Sequence, residues 1–151
     1  MISSVMWSSL IDYPENICTI LFISGCNFDC EFCYNKQFFN NNALDFEKNI
    51  FPNLIERKNF INHIIISGGE CTISPDFCEI VDKLYENEFK IGIHTNGSRP
   101  DLILRVMKKL DYVGMDIKND FDNYSKISRS KCEYRKNKKI NQHYYKKWDK
   151  L

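Results

Sequence analysis

Three cysteines fall within eight residues, Cys26, Cys30 and Cys33, in a C-x3-C-x2-C pattern. A cuboidal [4Fe–4S] cluster can take one iron to each of three such thiolates, leaving its fourth iron open for a further ligand. The ferredoxin pattern would place another cysteine close behind the third, and Tyr34 to Phe39 contains none. The spacing therefore suits a cluster that does chemistry rather than one that stores an electron. Zinc is the alternative: Cys30 and Cys33 form the C-x2-C half of a tetrahedral site that Cys26 and a distant Cys or His would complete. A third reading leaves all three as unliganded core thiols.

The elements around this loop favour a ligand site. The run Ile17-Cys18-Thr19-Ile20-Leu21-Phe22-Ile23 is β-branched and free of charge, which predicts a buried strand leading straight into the cysteines, with Cys18 as a core residue. Before it, Ser8 to Asn16 reads as polar and irregular, bent by Pro14. Further strands are expected at Ile61 to Ser67, Phe89 to His94 and Asp111 to Lys118. After a turn at Asn40-Asn41-Asn42, a helix capped by Asp45 is either kinked or divided by Pro52. Ser74-Pro75-Asp76 starts a helix with Phe77, Ile80, Val81 and Leu84 on one face. Pro100 to Leu110 forms another, with Leu102, Ile103, Val106, Met107 and Leu110 as its stripe. Strands alternating with helices predict an α/β fold, a parallel sheet of about four βα units with helices packed outside.

In such folds ligands bind at the carboxyl ends of the strands. Here each end carries glycine or polar residues: the cysteine loop, Gly68-Gly69-Glu70, Thr95-Asn96-Gly97, and Asp116 with Lys118. The two glycines permit a close backbone approach to a ligand, with Glu70 beside them. Asp116 and Lys118 are two apart and share a strand face, so they either pair with each other or reach a bound polar ligand. Falling on one rim, these ends define a single site.

Composition sets the class. The 151 residues are 43% hydrophobic and 27% charged, as in one ordinary globular domain. The seven cysteines follow no leader-like segment, which predicts reduced thiols and a cytoplasmic protein. No apolar run approaches the ~20 residues of a membrane span. Net charge is +1, yet ten of the 21 Lys and Arg residues lie after Ser125, opposed only by Glu133 and Asp149. The expected organisation is a core domain over 1–124 and a basic, disordered tail over 125–151, solvated rather than bound to nucleic acid.

With the pieces in this order the chain resembles the radical S-adenosylmethionine (SAM) superfamily, at Cys26, Cys30 and Cys33 with Phe32 before the last cysteine, and at Gly68-Gly69-Glu70. Leu21-Phe22-Ile23-Ser24-Gly25-Cys26 and Cys33-Tyr34-Asn35-Lys36 are similar to the activating enzymes of anaerobic ribonucleoside-triphosphate reductase. The resemblance implies a partial (β/α) barrel and two cofactors, a [4Fe–4S] cluster on Cys26, Cys30 and Cys33, and SAM. It implies SAM contacts from Phe32, Cys33, Tyr34, Gly68, Gly69, Glu70, Asn96, Asp116 and Lys118, with Glu70 and the glycines at the methionyl amino group. Reductive cleavage of SAM would give a 5′-deoxyadenosyl radical that takes hydrogen from a glycine of the reductase large subunit, with a flavodoxin- or ferredoxin-type electron donor. No protein acid or base is needed beyond the cluster and SAM. Two alternatives stand beside this: the same radical chemistry on a small molecule such as a deazapurine precursor, and a non-catalytic zinc or cluster module. Cys71 stands where relatives usually have proline, and His94 where an acid often precedes Thr-Asn-Gly.

Overall fold

Runs of β-branched residues become the strands of one five-stranded sheet in the computed structural model, which describes residues 1–38 and 43–118 together with Lys126 and Arg129. The expected turn at 40–42, Cys132, the boundary at 124 and all but two residues of the basic tail lie outside the described residues. The strands are β1 (Ile2–Tyr13), β2 (Asn16–Ile23), β3 (His63–Gly68), β4 (Lys90–Thr95) and β5 (Tyr112–Met115), side by side in chain order. From β2 onward each neighbour is parallel, and the crossovers carry α1 (Phe51–Arg57), α2 (Phe77–Glu86) and α3 (Pro100–Val106). This is the mixed α/β architecture of a partial (β/α) barrel.

One expectation is corrected. The segment from Ser8, read as irregular, belongs to the 12-residue β1, which pairs antiparallel with β2. Being an edge strand, β1 needs no continuous apolar run: Ser9 and Tyr13 are buried while Leu10 and Ile11 face out. Its ladder is broken by three register shifts, one of them spanning Met6 to Ser9. Pro14 does bend the chain, in a turn completed by Glu15 at φ 60°.

The sheet buries both faces. Ile64 and Ile66 point toward the helices, where they meet Phe77, Val81, Leu84, Ile103 and Val106. Ile65 points the other way, into a smaller cluster with Tyr13, Cys18 and Ile20. Burying each such side chain contributes about 1.5–3 kcal/mol. Asp45 caps the α1 region as expected, accepting from the Lys48 amide at 3.1 Å. Pro52 divides that region, with a π-turn over Phe46–Ile50 preceding α1. Helix α2 ends in a reciprocal pair of backbone bonds, Phe89 N–H to the Leu84 carbonyl and Glu88 N–H to that of Tyr85, with Glu88 left-handed at φ 58°. Among the described residues no helix is long and apolar enough to cross a membrane.

Candidate functional site

Past the carboxyl ends of the parallel strands lies a cavity of about 730 Å³. Cys26, Cys30, Cys33, Phe32 and Tyr34 line it from the loop after β2, Gly68 and Gly69 from the β3 end, Asn96 from the β4 end, and Asp116 and Lys118 from beyond β5. Ten residues predicted from four separate stretches of sequence thus share one wall. Thr95, Asp12, Ser67, His94, Tyr112 and Gly114 also line it.

The loop is tightly built. Cys33 donates its amide to the Cys30 carbonyl at 3.2 Å, and the Phe28 amide points at the Cys26 sulfur at 3.3 Å. Burial pushes the Cys26 thiol up to about 11, against the opposing pull of the Phe28 amide, and burial raises Cys30 as well. Both are therefore thiols near neutral pH, and a metal that binds them must displace protons. Among the described residues no group of three His, Cys, Asp or Glu side chains converges on a single ion. A cubane takes one thiolate per iron, and three thiols on one loop can supply three of them. The donor set fits a cluster.

In the glycine turn beside the loop, Gly68 has room for no side chain. Gly68 has φ 114°, and a Cβ there would lie 2.3 Å from the Ile23 carbonyl oxygen. Gly69 N–H donates to that same carbonyl at 3.0 Å, and Asn35 holds the Gly68 carbonyl through its side-chain amide at 2.9 Å. Asp116 and Lys118 pair with each other at 2.7 Å, both beyond the end of β5 rather than inside it. They are thus spared the cost of a charge inside a buried strand, and Lys118 also sits 5.9 Å from the centre of the Phe32 ring.

Glu70 is placed differently from the other ten. It is fully buried and does not line the cavity. Its carboxylate turns inward and accepts from the Thr72 amide at 3.1 Å, the Thr72 hydroxyl, the Thr95 hydroxyl at 2.7 Å and the Asn96 amide at 2.6 Å. His94, by contrast, was not among the predicted contacts. It lies across from Gly114 in the β4–β5 register, where an added Cβ would stand 2.8 Å from its ring, with its Nδ1 3.5 Å from the Ser67 hydroxyl. The sequence signal for it was Gly114 itself, a glycine inside a strand.

A half-barrel whose rim presents three thiols and a glycine turn to one cavity is a cluster-binding α/β scaffold. The Radical SAM superfamily profile matches residues 20–149, and the chain belongs to that superfamily. The family's cofactors are a [4Fe–4S] cluster and S-adenosylmethionine. The chain is 34% identical over 130 residues to a candidate glycyl-radical enzyme activating enzyme of Methanocaldococcus jannaschii, covering 84% of this chain and 54% of that protein. It is 29% identical over 136 residues to the pyruvate formate-lyase-activating enzyme of Clostridium pasteurianum, covering 84% and 56% respectively. To an S-adenosylmethionine-dependent nucleotide dehydratase of Selenomonas ruminantium it is 32% identical over 97 residues, 61% of this chain and 35% of that one. The chain spans about half the length of these two activating enzymes.

Proposed function

We propose that the chain is a SAM-dependent activase that generates a glycyl radical on a protein partner, the large subunit of anaerobic ribonucleoside-triphosphate reductase. The observation that carries this reading is the single cavity onto which the cysteine loop, the glycine turn and the Asp116–Lys118 pair all open. The choice of a protein substrate rests on the two activating enzymes, each of which covers 84% of the chain.

In this reading Cys26, Cys30 and Cys33 hold the cluster. Gly68 and Gly69 present backbone to the methionyl amino group, Phe32 and Tyr34 flank the cofactor, and Asn96, Asp116 and Lys118 supply polar contacts. When bound and reduced, the cofactor pair supplies the radical chemistry. The chain's own residues bind and orient the cofactors. A flavodoxin- or ferredoxin-type protein supplies the electron.

The polar inner wall of Asp12, Ser67, His94 and Tyr112 favours a second reading, a small polar substrate, in keeping with the nucleotide dehydratase relative. Anaerobic reconstitution with iron and sulfide, followed by dithionite and SAM, tests both. The expected result is 5′-deoxyadenosine, with a glycyl-radical doublet in electron paramagnetic resonance once the reductase is added. Cleavage with no doublet, but with turnover of a nucleotide, would move the assignment to the second reading. Stoichiometric zinc without a response to SAM would overturn both.

A further inference from the structure

A buried carboxylate is costly unless its oxygens are fully used, and the four donors on Glu70 come from two strand ends. Its own amide donates to the Gly25 carbonyl at 3.0 Å, immediately before Cys26. Glu70 thus ties together the ends of β2, β3 and β4. What it holds at the β4 end is the Asn96 backbone, and from there the Asn96 side chain reaches back to the cysteine loop. Its Nδ2 donates to Asn27 Oδ1 at 3.0 Å and lies 3.9 Å from the Cys26 sulfur, within hydrogen-bond reach of a thiolate. An amide nitrogen has two hydrogens, so both bonds can exist at once. Ser98 secures the arrangement, donating its amide to Asn96 Oδ1 at 2.9 Å and accepting from Asn27 at 2.8 Å.

We propose that Glu70 and Asn96 are positioning residues for the cluster: Glu70 fixes the β4 end, and the Asn96 amide held there donates to the Cys26 sulfur and raises the cluster's reduction potential. This rests on the reading that Cys26 is a cluster ligand. Reduction adds negative charge to the cluster, and an N–H dipole aimed at a ligand sulfur stabilises that charge. The Cys26 sulfur receives such donors from Phe28 and Asn96.

The test is the midpoint potential of the reconstituted full chain, measured without SAM so that any contact between Asn96 and SAM cannot contribute. Asn96→Ala should load iron and sulfide as the wild type does but show a more negative midpoint. Asn96→Asp, which removes the donor and adds a negative charge, should move it further the same way. Glu70→Gln should shift it in the same direction, because a donor is then turned toward the donors that hold Asn96. Unchanged potentials in both Asn96 variants would overturn the proposal. Cluster loss in both, with the fold retained by circular dichroism, would make Asn96 an assembly residue and overturn it equally. A wild-type chain that takes up no cluster would instead overturn the reading of Cys26 on which the proposal rests.

Discussion

At the scale of single residues the seven cysteines are not equivalent, and their surroundings say why. Cys71 is fully buried and its thiol is pushed well above the usual range by burial, with Glu70 next to it. Cys18 is buried in the inner face of β2. Cys26, Cys30 and Cys33 open onto the cavity. Alanine at any of these three should abolish iron and sulfide uptake, while Cys18→Ala and Cys71→Ala should load normally and lose about 1–2 kcal/mol of stability from the vacated core volume. Iron content after reconstitution decides it, and full loss on Cys71→Ala with Cys30→Ala unaffected would refute the ligand set. Lys118 makes a second case. Its ion pair with Asp116 is partly exposed and adds little to stability, so its value lies in facing the cavity. Lys118→Ala should keep the cluster and weaken SAM binding roughly tenfold or more, the worth of a hydrogen bond to a charged group. Wild-type affinity by equilibrium dialysis would leave Lys118 with a structural role rather than a SAM contact.

At the scale of elements, two predictions bear on stability alone. Glu88 occupies the left-handed position that ends α2, where a side chain is strained, and its pair with Lys58 is exposed on the Glu88 side. Glu88→Gly should therefore raise unfolding stability by about 0.5–1 kcal/mol, read from the urea midpoint. Alkaline pH should act through the inner face of the β1–β2 hairpin. Burial raises Cys18 from 9.0 to about 11, with Asp12 adding to it, and burial raises Tyr13 from 10.0 to about 12, with Asp111 and Cys18 adding to it. Both groups bind their proton more tightly when folded. Their contribution is complete below pH 9 and is lost as pH rises through 11 and 12. Melting temperature should fall across that window, and Cys18→Ala should flatten the fall. These same elements show what was legible in the chain. Ile64-Ile65-Ile66 announced β3 because a strand covered on both faces must be apolar throughout. Strand β1 escaped notice because one side of it is wet and its ladder shifts register, so neither a run nor a clean alternation survives. The cavity residues were readable as strand ends. The inward turn of Glu70 was not, since its carboxylate is held by the Thr95 hydroxyl and the Asn96 backbone amide, donors about 25 residues away in the chain.

At the scale of the whole molecule, the question is what the basic tail contributes. The cluster cysteines, the glycine turn and Lys118 all precede it. Its sequence after Tyr124 lacks the apolar periodicity of another strand-helix unit, so the ordering cost of ~1–2 kcal/mol per residue would have little burial to offset it. Against this, the superfamily match runs on to residue 149, and Arg129 pairs with Glu31 of the cysteine loop at 3.2 Å. That pair is exposed on both sides, where such contacts are worth about 0–1 kcal/mol, too little for the loop to depend on it. A chain ending at Tyr124 should accordingly fold, load a cluster and cleave SAM to 5′-deoxyadenosine when reduced, while forming less glycyl radical on the reductase if the tail helps the two proteins dock. The feature that could reverse this is the outer edge of β5, which Tyr134, Ile140, Tyr144, Tyr145 and Trp148 are apolar enough to cover. Size-exclusion chromatography and iron content of the shortened chain separate the two outcomes: aggregation or cluster loss in the short form alone would place the tail within the folded domain.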